Sequence, residues 1–133
     1  MFYIIHTFRR YIMDTNFIPN SYFDAAVRLF PTAHIKEGDG SYEALIINGH
    51  TKPTKATLDS ELQKVIDAEP MYRLRCQRDI KLTKTDWWAS SDLTMTAEQT
   101  KYRKDLRDFP STASPELDSG GNLTNVTWPT KPE

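Results

Sequence analysis

The chain has 133 residues, 38% of them hydrophobic and 26% charged, with a formal net charge of −1. That length holds one domain or two very small modules around a modest core, and the near-neutral balance gives no global attraction for nucleic acid or an anionic membrane. The lone Cys76 excludes an internal disulfide and a cysteine-based metal site, and His6, His34 and His50 lack ligand spacing, so neither a metal nor any other cofactor is expected.

The chain opens with MFYIIHTFRRYI. Its apolar run is too short to span a bilayer, and it lacks the basic lead and small-residue cleavage site of a signal peptide. Ile4, Ile5, Phe8, Tyr11 and Ile12 would share a helix face. Residues 1–13 are read as an N-terminal extension whose start, at Met1 or at Met13, stays open.

Residues 14–50 are expected to form a small α+β module. Asn20 is placed to cap a helix from Ser21 to Phe30, with Phe23, Ala26, Val27 and Phe30 on one apolar face. Pro31 ends it, because proline disfavours helical geometry in the residue before it. Two extended runs, Ala33–Glu37 and Tyr42–Asn48, flank Gly38-Asp39-Gly40 and predict a β-hairpin. Alternation puts Leu45 and Ile47 on one side and Tyr42, Ala44 and Ile46 on the other. Residues 51–56 read as a linker.

The last module, 57–133, begins with a helix capped by Thr54 or Thr57, with Leu58, Leu62, Val65 and Ile66 as its stripe. Pro70 either kinks this helix or starts a second one at its first turn. The stretch MYRLRCQRDIKLTKTD continues it. Thr96 and Gln99 fit a capping box for a further helix, with Tyr102, Leu106 and Phe109 on one face and Pro110 as its stop. Ser119-Gly120-Gly121-Asn122 is suited to join two short strands, Glu116–Asp118 and Leu123–Trp128. Pro129 and Pro132 leave an extended tail. The fold class is therefore α+β: a small helix plus β-hairpin unit, then a helical hairpin with a short C-terminal strand pair.

Two clusters in the second half stand out. If the helix runs on through Trp87 and Trp88, their side chains diverge by roughly 100°, so only one need be core. Trp87 and Trp128 are expected to be core, and Trp88 either a half-buried lid or a contact for a partner, since tryptophan is enriched at interface hot spots. Arg103 and Arg107 lie four apart on one face, and one of them is expected to pair with Asp79, Asp86 or Asp92 and clamp the two helices. Between Met71 and Asp108 there are nine basic and six acidic residues, a local +3. A solvated helical face explains that excess as well as a handle for an acidic partner.

The segments RDIKLTKTDWWASSDLTMTAEQTKYRKDLRDFP and VTWPTKP resemble the phage tail assembly chaperone family. The resemblance rests on Arg78-Asp79, Leu82, Thr85-Asp86-Trp87, Asp92, Tyr102-Arg103, Leu106-Arg107-Asp108, Pro110 and Trp128-Pro129, in that order, and covers about residues 71–132. Trp88 departs from it, standing where the family tends to place a less bulky or polar residue. The front half is more loosely similar to leading segments of such proteins.

The resemblance implies a non-enzymatic phage protein that assists tail or tail-fibre assembly by binding and shielding a tail polypeptide. It would act in the host cytoplasm during assembly, without nucleic acid, membrane or small-molecule substrate. The alternative is a structural component that stays on the virion tail as a cap or adaptor. Trp88, Tyr102, Arg103 and Trp128 are the candidate partner contacts. An enzyme would have to use Asp79, Asp86 and Asp92 with no histidine, cysteine or glycine-rich phosphate loop beside them. A nucleic-acid site would have to use the arginines of 71–84 with Tyr72, a patch that Asp79 interrupts.

Overall fold

The computed structural model describes residues 21–133, and the two expectations for the N-terminal extension and for Asn20 as a helix cap lie outside them. The described residues hold three α-helices and two two-stranded antiparallel sheets, an α+β arrangement. The chain divides into two compact units, one ending at Glu69 and the other running from Pro70 to Glu133.

In the first unit, helix α1 spans Tyr22–Leu29. Ser21 opens it: its backbone N–H and its hydroxyl both donate to the Asp24 carboxylate, at 3.3 and 3.1 Å. The Asp24 carboxylate thus takes up donors at the start of the helix, and the Asp24 N–H donates to the Ser21 carbonyl at 3.1 Å. At the other end the Phe30 N–H donates to the Ala26 carbonyl at 2.8 Å, and Pro31 follows. Strands β1 (His34–Lys36) and β2 (Ile46–Asn48) pair with Ile35 opposite Ile47. The pairing is shorter than the sequence suggests. Residues 37–45 are spent on successive turns, in which Gly38 adopts φ +66° and packs so closely that an added Cβ would lie 2.5 Å from the Cβ of Ala44.

Leu45 and Ile47 are buried while Ile46 is exposed, as alternation predicts. They meet Ala25, Ala26, Ile35 and Leu58 in one core. Two tyrosines anchor its edge: the Tyr22 hydroxyl donates to Asp59, the Tyr42 hydroxyl to the Pro53 carbonyl, both at 2.8 Å, and the two rings meet edge to face.

Helix α2 runs from Lys55 to Thr83 with Pro70 inside it. Thr54 is its N-cap, its Oγ1 accepting from the Thr57 N–H at 3.2 Å. Proline brings no N–H to the ladder and normally interrupts a helix. Here the helix extends past it, and the boundary between the two compact units coincides with the same residue. In the second unit, α3 spans Ala97–Asp108 and carries the expected capping box: the Gln99 N–H donates to Thr96 Oγ1 at 3.2 Å, and Gln99 Oε1 accepts from the Thr96 N–H at 3.0 Å. Pro110 does not stop the chain at once; it sits in a short 3-10 turn, Phe109–Ser111, that follows α3 directly. Strands β3 (Glu116–Leu117) and β4 (Leu123–Thr124) close the unit. Asp118 organises their turn by accepting from the N–H groups of Gly120 and Asn122, at 2.9 and 2.8 Å. No helix among the described residues is long and apolar enough to cross a membrane.

Candidate functional site

The candidate site forms where α2 ends. The chain there is released from the helix by a single side chain. Thr85 is only 1% exposed, and its hydroxyl donates to the Leu82 carbonyl at 2.9 Å while its own N–H donates to that same carbonyl. Satisfying the last carbonyls of a helix from a following threonine ends the helical ladder without leaving a buried acceptor empty. The chain then tightens into a 3-10 turn, Asp86–Ala89, which holds both adjacent tryptophans.

That turn decides which indole goes inside. A 3-10 turn has about three residues per turn, so successive side chains diverge by roughly 120°. Trp88 is 4% exposed and packs with Tyr102 and Leu106 of α3; Trp87 is 63% exposed. This corrects the expectation that Trp87 is core and Trp88 a half-buried lid. The expectation assumed α2 continuing through Trp87, whereas the helix stops at Thr83 and the tighter turn rotates the pair. The rings of Trp87 and Trp88 meet edge to face, with centroids 6.1 Å apart, so the exposed indole rests on the buried one.

Tyr102, 6% exposed, lies against Trp88 with centroids 6.1 Å apart. Burial raises the pKa of its hydroxyl above the ordinary tyrosine value, because the phenolate would lose its water. Leu82, Met95 and Trp128 pack around this centre. Trp128 is half-buried, and its ring lies 4.9 Å from that of Phe109. Two lysines cover the aromatic faces: Lys81 Nζ sits 4.9 Å from the Trp128 centroid and Lys131 Nζ 5.6 Å from that of Trp88, both inside the range where a cation is drawn to an aromatic face.

Arg103 supplies the clamp expected between the helices. Its Nη1 donates to the Leu82 carbonyl at 3.0 Å and to Thr85 Oγ1 at 2.7 Å, and its Nη2 to Asp86 Oδ1 at 2.9 Å. The partner is Asp86 through one oxygen, not a two-pronged carboxylate pair; the other prong of the guanidinium is spent on the helix end itself. The Arg103 side chain is 14% exposed and that of Asp86 61%, so the buried bonds to Leu82 and Thr85 carry more weight than the solvated ion pair. Thr85 is thus the keystone that sequence reasoning missed. Its place directly after a helical stripe, in TKTD, is the available signal, since threonine at a helix end commonly bonds back to a carbonyl.

The remaining sequence candidates are dispersed. Asp79 pairs with its neighbour Arg78, and Asp86 with Arg103, while Asp92 lies exposed after the 3-10 turn. Arg73 donates to the Gly121 carbonyl, which ties the start of the arginine-rich stretch to the β3–β4 turn. No group of three or more potential metal ligands occurs among the described residues. Among the described residues of this unit the exposed large hydrophobics are Trp87, Leu93 at 50% and Tyr72 at 38%, the first two in the segment joining α2 to α3.

Residues 71–133 match the family model described as phage tail assembly chaperone protein. The span agrees with the resemblance read from the motifs, and it falls one residue short of the whole second unit. No curated protein and no solved structure matches the chain.

Proposed function

We propose that this chain assists phage tail assembly by binding a tail or tail-fibre polypeptide and covering its surface until it polymerises. The family match over residues 71–133 is the observation that carries the reading, and an assembly role is what that family implies. Tail and fibre subunits expose sticky surface before they assemble, which a small binder can shield.

The contact is assigned to the segment between α2 and α3, with Trp87 as the anchor and Leu93 beside it in sequence. A large indole mostly open to water, held against a rigid neighbour, loses little freedom on binding and is the side chain most often found at an interface hot spot. Trp88, Tyr102 and Arg103 support that surface from beneath: the two rings set the position of the 3-10 turn and Arg103 fixes the helix end from which it starts. The reading is non-enzymatic, with no nucleic acid, membrane or small-molecule substrate in the role.

Co-expression with the tail and fibre polypeptides of the same genome tests the proposal. The expected result is that one of them co-purifies with this chain and assembles in higher yield in its presence, and that Trp87→Ala reduces co-purification at least tenfold while the far-UV circular dichroism is unchanged. Equal assembly yield with and without the chain overturns it. Mass spectrometry of purified particles then separates the two forms of the role: absence marks a transient chaperone, a stoichiometric copy a cap or adaptor.

A further inference from the structure

The terminal segment is attached in an unusual way. β4 ends at Thr124, and at Asn125 the chain turns with φ +57°, the side-chain amide donating to the Ser114 carbonyl at 2.9 Å. Beyond that residue no hydrogen bond joins 126–133 to another described residue. Pro129 and Pro132 bring no donor that would allow the strand to lengthen. What holds the segment is rings: Trp128 on Phe109, Lys81 over Trp128, and Lys131 over Trp88. Where the segment leaves the sheet it borders an open cleft of about 380 Å³, lined by Phe109, Ala113 and Val126 among others.

An aromatic residue, a proline, one further residue and a lysine, bound through side chains on an aromatic surface, is the chemistry by which extended proline-containing peptides are recognised. Such peptides are stiff before binding and need no ladder of backbone bonds. We propose that the face formed by Phe109, Lys81 and Trp88 is a receptor for an extended, proline-punctuated segment that presents an aromatic ring and, three residues later, a lysine. Residues 126–133 of this chain occupy it, and the tail polypeptide anchored at Trp87 makes a second contact by delivering a segment of the same chemistry in their place. The identity of the incoming polypeptide rests on the proposed function; the receptor itself does not.

The receptor explains why Trp88 is covered by a lysine from the terminal segment and why, among the described residues, that segment is held by side chains alone. It also sets a threshold. A tethered occupant acts at an effective concentration in the millimolar range, so a free peptide competes poorly until the tethered copy is weakened.

The test uses the full chain and a labelled synthetic peptide of residues 125–133, NVTWPTKPE, followed by fluorescence anisotropy. The expected result is that the peptide binds a Trp128→Ala/Lys131→Ala chain at least tenfold more tightly than the wild-type chain, and that a peptide with alanine in place of its tryptophan does not bind. Equal affinity for both chains, with the double variant folded by circular dichroism, overturns the proposal. If the double variant is unfolded, the Lys131→Ala chain takes its place with an expected gain of at least threefold, and no gain overturns the proposal equally. Peptide binding as expected, together with failure to capture any tail polypeptide, leaves the receptor standing and removes the tail-binding role alone.

Discussion

Replacing each of the two adjacent tryptophans by alanine gives opposite outcomes. Trp88 is 4% exposed within the cluster of Tyr102 and Leu106. Its side chain removes about 200 Å² from water, worth about 5 kcal/mol at ~25 cal/mol per Å² and about 3–4 kcal/mol once residual burial in the unfolded chain is discounted. That agrees with the range of about 3–5 kcal/mol measured for large aromatic-to-alanine changes in cores. Trp87, 63% exposed, removes only about a third of that area, and its loss costs about 1 kcal/mol. A unit the size of Pro70–Glu133 has a total margin of about 3–10 kcal/mol, so Trp88→Ala consumes much or all of it while Trp87→Ala leaves the unit folded. All three tryptophans lie in this unit. Urea unfolding followed by tryptophan fluorescence therefore reports on it alone, with acrylamide quenching as a second readout: in the wild-type chain one indole is quenched readily and Trp87→Ala removes that component. A Trp87→Ala chain as unstable as Trp88→Ala, or a Trp88→Ala chain with a wild-type midpoint, refutes the assignment of the inner and outer indole.

Arg103→Lys retains the charge but has no planar fork to reach Leu82, Thr85 and Asp86 together; a loss of about 1–2 kcal/mol is expected in the same urea experiment, and an unchanged midpoint excludes the clamp. Gly38→Ala places a side chain at φ +66° and 2.5 Å from the Ala44 Cβ, so it destabilises the first unit by more than about 1 kcal/mol; the Tyr22 and Tyr42 near-ultraviolet signal on urea titration measures this, and a neutral effect rules out the tight turn. Hydrogen bonds from the Asn122 side chain, and from the Asn122 and Gly120 N–H groups, hold the Asp118 carboxyl below its ordinary value. A depressed folded pKa contributes stability that is complete above the unfolded pKa and is lost as pH falls through the folded one. The amide shifts of Gly120 and Asn122 should therefore titrate with a midpoint below the ordinary aspartate value of about 3.9, and a midpoint at or above that value contradicts the capped turn. The Tyr102 hydroxyl ionises above the ordinary tyrosine value because it is buried, so Tyr102→Phe removes a step above that value from the absorbance titration at 295 nm; an unchanged titration above it refutes the assignment.

Local chemistry wrote much of this fold into the sequence. The Thr96–Gln99 capping box, the alternation of Leu45, Ile46 and Ile47, the prolines and the glycine turns act within a few residues of themselves, so helices, turns and strand pairs were legible in order and type. The family motifs were legible for the same reason, being short strings at fixed spacing, and the family model spans the same region. Strand lengths were less legible, since Tyr42 to Ala44 have strand-like patterning but are drawn into a turn by the close packing of Gly38 on Ala44.

What the sequence by itself determined is therefore the set of elements and the presence of an aromatic and arginine cluster in the second half. Which tryptophan faces inward was settled only by the fold. The decision depends on where α2 stops, the stop depends on a buried threonine hydroxyl, and that hydroxyl is held by Arg103, eighteen residues further along the chain. A helical period extrapolated along the sequence carries no knowledge of a hydrogen bond from a distant helix, and the break after Thr83, through the turn at Thr85 into the 3-10 turn Asp86–Ala89, is what leaves one indole out in water and the next in the core.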